Sequence, residues 1–180
     1  MSTRILRSTT ILAVRRGDRV ALAGDGQVTL GEHAVKHGSR KVLKLNDGKV
    51  LAGFAGGAAD GLALLDKIEG HIKESQGDLE RAAMAFAREW RTDRILRRLE
   101  AMLIVADARS TLVISGQGDA LRPDEDIAAI GSGGAIAHAA GLALLRHTEM
   151  PAEQIAREAV GIASRLCIYT NYQINVVTLE

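Results

Sequence analysis

The chain has 180 residues, 47% of them hydrophobic and 25% charged, with 23 basic side chains against 22 acidic ones. That length suits one substantial core, and the near-cancelled charge, with Arg15-Arg16 and Arg97-Arg98 interrupted by other residue types, disfavours nucleic acid or an anionic membrane as a partner. The lone cysteine, Cys167, excludes an internal disulfide framework and a multi-cysteine zinc site, and fits a reducing compartment.

In chain order, Met1 to Ser8 carries Arg4 and Arg7 but only Ile5-Leu6 as an apolar stretch. This falls short of a signal core of about 7 to 15 residues. No later segment approaches the ~20 apolar residues of a membrane span, so the expected location is cytoplasmic. From Thr10 the pattern turns to short strands: Ile11 to Val14, a polar turn at Arg16-Gly17-Asp18, and Val20 to Ala23 ending at Gly24-Asp25-Gly26. Lys41 to Leu45 and Lys49 to Gly53 flank Asn46-Asp47-Gly48, a hairpin signal because these residues tolerate positive φ.

After Gly53-Phe54-Ala55-Gly56-Gly57 the period becomes helical, with Leu62, Leu65, Ile68 and Ile72 as one stripe. Leu79, Ala82, Ala83, Phe86, Ala87 and Trp90 form a second stripe, on a helix expected to continue through Arg91 to Leu99. Strands return at Met102 to Ala106, Thr111 to Ser115 and Ile127 to Ile130. Gly131-Ser132-Gly133-Gly134 then leads into a helix from Ala135 to about Arg146. Pro151 opens a last helix bearing Ile155, Ala159, Ile162 and Leu166, and Ile174 to Leu179 closes the chain as a strand. Strand blocks alternating with helix pairs argue for helices packed on antiparallel sheets rather than an alternating parallel sheet. The echo between Val50-Leu51-Ala52-Gly53 and Ala128-Ala129-Ile130-Gly131, each launching a helix pair, suggests an α+β, four-layer α-β-β-α sandwich.

Several familiar chemistries are missing. Counting from Gly131, the last position of G-x-G-x-x-G is Ile136, and no G-x-x-x-x-G-K-[ST] run exists, so no nucleotide is expected on this chain. The five histidines, His33, His37, His71, His138 and His147, form no metal-ligand spacing and read as surface or packing residues. Cys167 reads as a buried inert thiol at a helix end. Ser132 lacks the flanks of a G-x-S-x-G elbow. Glu69 with Lys73, and Glu89 with Asp93 and Arg94, read as solvated helix faces.

What remains is Thr9-Thr10 ahead of the first strand, which by itself is ordinary strand composition. Read together with Ala23-Gly24-Asp25-Gly26-Gln27, Arg40-Lys41-Val42, Ala52-Gly53-Phe54-Ala55-Gly56-Gly57, Trp90-Arg91-Thr92-Asp93, Ala129-Ile130-Gly131-Ser132-Gly133-Gly134 and Cys167-Ile168-Tyr169-Thr170-Asn171, it resembles the HslV (ClpQ) family. These are proteasome-related peptidase subunits of bacterial ATP-dependent proteases, and the likeness covers nearly everything from Thr9 onward.

The resemblance implies the N-terminal-nucleophile, proteasome β-subunit-like form of the sandwich. It assigns the nucleophile to Thr9, with Lys41 beside it, Asp25 as the lysine's partner, Ser132 completing the hydrogen-bond network and the Gly53 amide stabilising the oxyanion. It further implies a monovalent cation, sodium by expectation, on the backbone carbonyls of Ser164, Cys167 and Thr170, although Ser164 stands where relatives often carry glycine. The implied assembly is two stacked hexameric rings of this chain, fed with unfolded proteins by the hexameric ATPase HslU (ClpY).

Eight residues precede Thr9, so a free threonine amine requires cleavage of the Ser8-Thr9 bond. The expected organisation is a leader, 1-8, removed on maturation, and one peptidase domain, 9-180. Two other readings stay open at this point: a stand-alone N-terminal-nucleophile amidohydrolase, and a ring subunit that assembles without cutting.

Overall fold

The computed structural model describes residues 9–180; the expected leader, 1-8, lies outside the described residues. Strand β1 (Thr10–Arg16) lies between β2 (Arg19–Gly24) and β10 (Ile127–Gly131), and β11 (Asn175–Leu179) completes a four-stranded antiparallel sheet on the far side of β2. The second sheet runs β5 (Val42–Leu45), β6 (Val50–Gly56), β7 (Ala101–Ala106), β8 (Thr111–Ser115) and β9 (Ala120–Leu121). A separate two-stranded hairpin, β3 (Val28–Leu30) with β4 (His33–Lys36), stands outside both sheets. Helices α1 (Ala58–Glu74) and α2 (Leu79–Thr92) cover the five-stranded sheet, and α3 (Gly134–His147) and α4 (Ala152–Leu166) cover the four-stranded one.

Strand alternation explains the four layers. In β1, Ile11 and Ala13 point to the other sheet, whereas Leu12 and Val14 point under α3 and α4. In β6, Leu51 and Ala55 face the inter-sheet core, whereas Val50, Ala52 and Phe54 pack beneath α1 and α2. Both strands are therefore apolar on both faces, and three stacked clusters form instead of one. Burying a side chain of this size contributes roughly 1.5–3 kcal/mol, so the middle cluster fixes how the two sheets meet, and the functional residues lie at one edge of that meeting.

Several sequence expectations shift. The second helix stops at Thr92 rather than running to Leu99, because the Asp93 carboxylate accepts the amides of Ile95 and Leu96, both at 2.8 Å, and starts a tighter turn over Leu96–Arg98. On α1 the buried line is Gly61, Leu64, Leu65, Ile68 and Ile72, which leaves Leu62 exposed. On α4 it is Ile155, Ala156, Ala159, Val160 and Ala163, with Leu166 69% exposed; small residues let the helix sit close to its sheet, so the stripe ends a turn early. The carboxylate of Glu89 does not pair with Arg94: it bridges to α1, 2.9 Å from Lys67 Nζ and 2.6 Å from His71 Nε2. Glu69 and Lys73 do approach, at 3.8 Å. Among the described residues no helix is long and apolar enough to cross a membrane.

Candidate active site

Thr9 sits immediately before β1 and is fully buried. Because Thr10 lies opposite Gly131 in the ladder, the Thr9 carbonyl meets the next residue of the loop and accepts the Ser132 amide at 2.9 Å. Gly131 has φ +92°, and a Cβ there would lie 2.0 Å from the Thr9 oxygen; a side chain would thus drive the loop off the nucleophile. Thr9 itself has φ +134°, a region that a β-branched residue adopts only under strain. Its hydroxyl is buried with no hydrogen-bond partner among the described residues, an uncommon condition that marks a group held for another purpose.

The next residue is clamped as firmly. The Thr10 amide donates to Asp25 Oδ1 at 2.8 Å, and Asp25, wholly buried just past β2, also accepts the Gln27 amide at 2.9 Å and the Asn171 amide at 3.3 Å on Oδ2. Lys41, which is 2% exposed, brings its ammonium to 3.4 Å from the same Oδ1 and donates to the Gln27 carbonyl. Burial pushes the Lys41 pKa below the ordinary lysine value, while the charge of Asp25 and its hydrogen bond push back. The pair is thus a buried cation held by a buried anion, one peptide unit from Thr9.

A cavity of about 710 Å³ opens on the loop that holds the Thr9 carbonyl. Its walls include Ala55-Gly56 at the end of β6, Gly131-Ser132 of the loop, and the stretch from Leu166 to Tyr169 after α4. Ser132 contributes to it from an exposed position, and its link to Thr9 is through its backbone amide.

The expectation for Gly53 is corrected. Gly53 lies within the ladder, opposite both Val42 and Ile104, and a Cβ there would strike Ile11 at 2.8 Å, so it serves the packing of the two sheets and does not line the cavity. The strand reaches the cavity three residues later. The Phe54 amide bonds to Lys41 O at 3.1 Å; by alternation the Gly56 amide points the same way, past the start of β5 and away from β7. Gly56, with φ +137°, stands at the cavity wall, where an amide so directed has no strand to pair with among the described residues.

Ser164, Cys167 and Thr170 fall together on the last turn of α4 and the turn after it. The Cys167 amide closes on Ala163 O at 2.8 Å, the Thr170 amide closes on Cys167 O at 3.1 Å, and the Ser164 hydroxyl folds back onto Gly161 O at 2.7 Å. Neutral carbonyl oxygens at the negative end of a helix, where the last carbonyls lack intrahelical partners, fit a hard cation of low charge. Cys167 is half-buried at the cavity wall rather than sealed in the core.

Thr10, Thr170 and Asn171 were not singled out as side chains by the sequence reading. Thr10 Oγ1 lies 2.7 Å from Thr170 Oγ1 and accepts the Gly133 amide at 3.1 Å, while Asn171 Oδ1 accepts the Gly26 amide at 3.1 Å. Partners up to 160 residues apart leave no trace in local pattern; the recurring Cys167-to-Asn171 block was the available signal.

A family model described as "Proteasome subunit" matches residues 5–179. The chain is 53% identical to the ATP-dependent protease subunit HslV of Caldanaerobacter subterraneus subsp. tengcongensis over 97% of its length and 100% of that protein's. It is 52% identical to the protein of the same name from Treponema denticola, over 94% of this chain and 95% of that one. Among solved structures, eukaryotic HslV from Trypanosoma brucei superposes with a TM-score of 0.90 at 49% identity, covering 95% of this chain and 99% of that chain.

Proposed function

The chain belongs to the proteasome-subunit family, in its HslV branch, and is a threonine-type peptidase; from that premise we propose that Thr9 is its nucleophile, released by cleavage of the Ser8-Thr9 bond. The observation that carries this reading is the buried Thr9 hydroxyl, without a partner among the described residues, in a residue whose carbonyl is held by the cavity-lining Ser132 and whose neighbour Thr10 is bonded to the Asp25 of the Lys41–Asp25 pair.

In the mature chain the α-amine of Thr9, with a reference pKa near ~8, takes the proton of its own hydroxyl directly or through one water. The oxygen adds to a substrate peptide carbonyl, and the Gly56 amide stabilises the resulting oxyanion; one such donor is worth roughly 3 kcal/mol. The ammonium returns its proton to the departing peptide amine as the C–N bond breaks, leaving an ester on Thr9. Water, deprotonated by the same amine, then hydrolyses that ester and regenerates the hydroxyl. Lys41 stays an ammonium throughout, favouring the free amine and the developing negative charge, and Asp25 keeps it in place. Leader removal uses the same oxygen: Thr9 Oγ adds to the Ser8 carbonyl, and its proton passes through water to the Thr9 nitrogen as that C–N bond breaks. The resulting ester is hydrolysed by water, which frees the leader as a carboxylic acid and restores the hydroxyl. The strained φ of Thr9 and its clamped carbonyl support this step.

The carbonyls of Ser164, Cys167 and Thr170 would hold a monovalent cation, sodium by our reading, which would stiffen the turn that lines the cavity. With no nucleotide-binding signature in this sequence, the energy source is a separate hexameric ATPase of the HslU type. It delivers unfolded proteins to two stacked hexameric rings of this chain in the cytoplasm.

The test is Thr9→Ala in the assembled protein, with intact-mass analysis. Peptide hydrolysis disappears and residues 1–8 stay attached, whereas the wild type starts at Thr9. Hydrolysis by the alanine variant would sink the assignment.

A further inference from the structure

The amide of Thr10 serves the Asp25 clamp, but its hydroxyl takes no part in the chemistry above, although the residue is wholly buried. That hydroxyl is fully used. It accepts the Gly133 amide at 3.1 Å and lies 2.7 Å from the hydroxyl of Thr170, itself 4% exposed. With one lone pair engaged by Gly133, the Thr10 hydroxyl can give its proton to Thr170.

The three elements meet as closely as backbone permits. A Cβ at Gly133 would lie 2.3 Å from Thr10 Oγ1 and 2.8 Å from Thr170 Oγ1. One hydroxyl therefore joins the strand that follows the nucleophile, the loop whose Ser132 amide holds the Thr9 carbonyl, and the turn whose Cys167 and Tyr169 line the cavity. The Asn171 amide bonds to Asp25, which ties the same turn back to the Lys41 pair. A valine would fill the same volume and suit the strand equally well, so shape alone does not explain the threonine.

We infer that Thr10 is a positioning residue for the reaction: its hydroxyl, bridging Gly133 and Thr170, sets the Thr9 hydroxyl relative to the cavity wall. The inference rests on Thr9 being the nucleophile.

The experiment uses the mature, assembled protein and a neutral fluorogenic peptide. Thr10→Val keeps the branched shape and removes the hydroxyl; Thr10→Ser keeps the hydroxyl and removes the methyl. Thr10→Val lowers kcat about tenfold, equivalent to ~1.4 kcal/mol of barrier, with KM changed less than about twofold. Thr10→Ser keeps kcat within roughly threefold of wild type. Thr170→Val reproduces the loss, and the double valine variant loses little more, as for two groups acting through one bond.

Unchanged kcat in Thr10→Val, equal impairment by Ser and Val, or a loss confined to KM overturns the inference. Should Thr10→Val fail to assemble, Thr170→Val against Thr170→Ser makes the same comparison from the other end of the bond. A second readout separates this idea from the parent reading: the rate at which an electrophilic peptide acylates Thr9, followed by intact mass. Wild type acylated at Thr9, with Thr10→Val acylated equally fast, refutes the positioning role alone; wild type never acylated at Thr9 refutes both.

Discussion

Asp25→Asn tests whether the buried cation beside Thr9 depends on its anion. The substitution is nearly isosteric but leaves Lys41, 2% exposed, facing a neutral group. Breaking a buried pair in this way costs ~3–5 kcal/mol. Neutralising the lysine sets a ceiling: at pH 7, some 3.4 units below a reference pKa of ~10.4, that ceiling is about 4.6 kcal/mol. The introduced amide would add a smaller loss independent of pH, because its NH₂ group would face the amides that Asp25 Oδ2 accepts from Gln27 and Asn171; an unmade buried bond costs ~1–3 kcal/mol.

The pH dependence separates the two parts. Burial already depresses the Lys41 pKa in the folded state. A group depressed in this way contributes most above its unfolded pKa, and that contribution is lost as pH falls through the folded value. Removing Asp25 deletes both influences that oppose the depression, so the variant's lysine is neutral where the wild-type ammonium is still charged. Across that interval the variant's deficit shrinks by about 1.4 kcal/mol per pH unit. Urea unfolding of wild type and variant, taken in steps from acid pH up to the ordinary lysine pKa, measures it. A deficit that nowhere shrinks as pH rises would show that Lys41 does not carry the cost, and would refute the assignment of Asp25 as its counter-ion.

Gly131→Ala is expected to abolish peptidase activity, because φ +92° disfavours alanine and its Cβ would meet the Thr9 carbonyl oxygen at 2.0 Å; backbone strain alone costs roughly 1–3 kcal/mol, and normal turnover with unchanged stability would contradict the geometry. Glu89→Gln tests the α1–α2 bridge. Hydrogen bonds first from Lys67 and then from His71 hold the Glu89 carboxyl below its usual pKa, so its contribution is present above the unfolded value and disappears as pH falls through the folded one. The variant should be less stable than wild type near neutrality, and the gap should close in acid; a gap that widens in acid argues against the bridge. Gly53→Ala should impair folding more than turnover, since its Cβ would strike Ile11. Thermal unfolding set beside the activity of the folded fraction separates those effects.

Local pattern carried much of the fold. The stripe Leu79, Ala82, Ala83, Phe86, Ala87 and Trp90 is buried in full, and the block order of strands and helix pairs yields the α-β-β-α layers. Where pattern failed, a competing interaction explains the miss. The end of α2 is set by the side chain of Asp93, which a helical period does not register. Hairpin β3–β4 has only three or four residues per strand, too few for a period of two to emerge, and its burial runs against its composition, with Leu30 and Val35 exposed and Thr29 buried.

The site divides the same way. Asp25 and Lys41, which the resemblance named, pair with each other, and Asp25 accepts the Thr10 amide. Gly53 does not line the cavity, because a glycine required by sheet packing and a glycine required by the cavity look alike in a run such as Gly53-Phe54-Ala55-Gly56-Gly57. The Thr10–Thr170 bond was illegible, since a hydroxyl's partner is decided by tertiary closure.

The arrangement also determines which group can act as base. Lys41 is the nearer candidate by convention, but its ammonium is already committed to Asp25 Oδ1 and the Gln27 carbonyl, and both contacts favour keeping the proton. Burial alone would free that proton; the carboxylate opposes it. A lysine held in this way supplies charge. Asp25 is equally committed, with four donors around two oxygens. With the cation and the anion both so committed, neither is left to take a proton, and on the mechanism proposed above the acceptor comes from Thr9 itself. In that mechanism the amine generated by cutting before Thr9 meets the need in every later turnover, so that removal of residues 1–8 would supply the catalytic base.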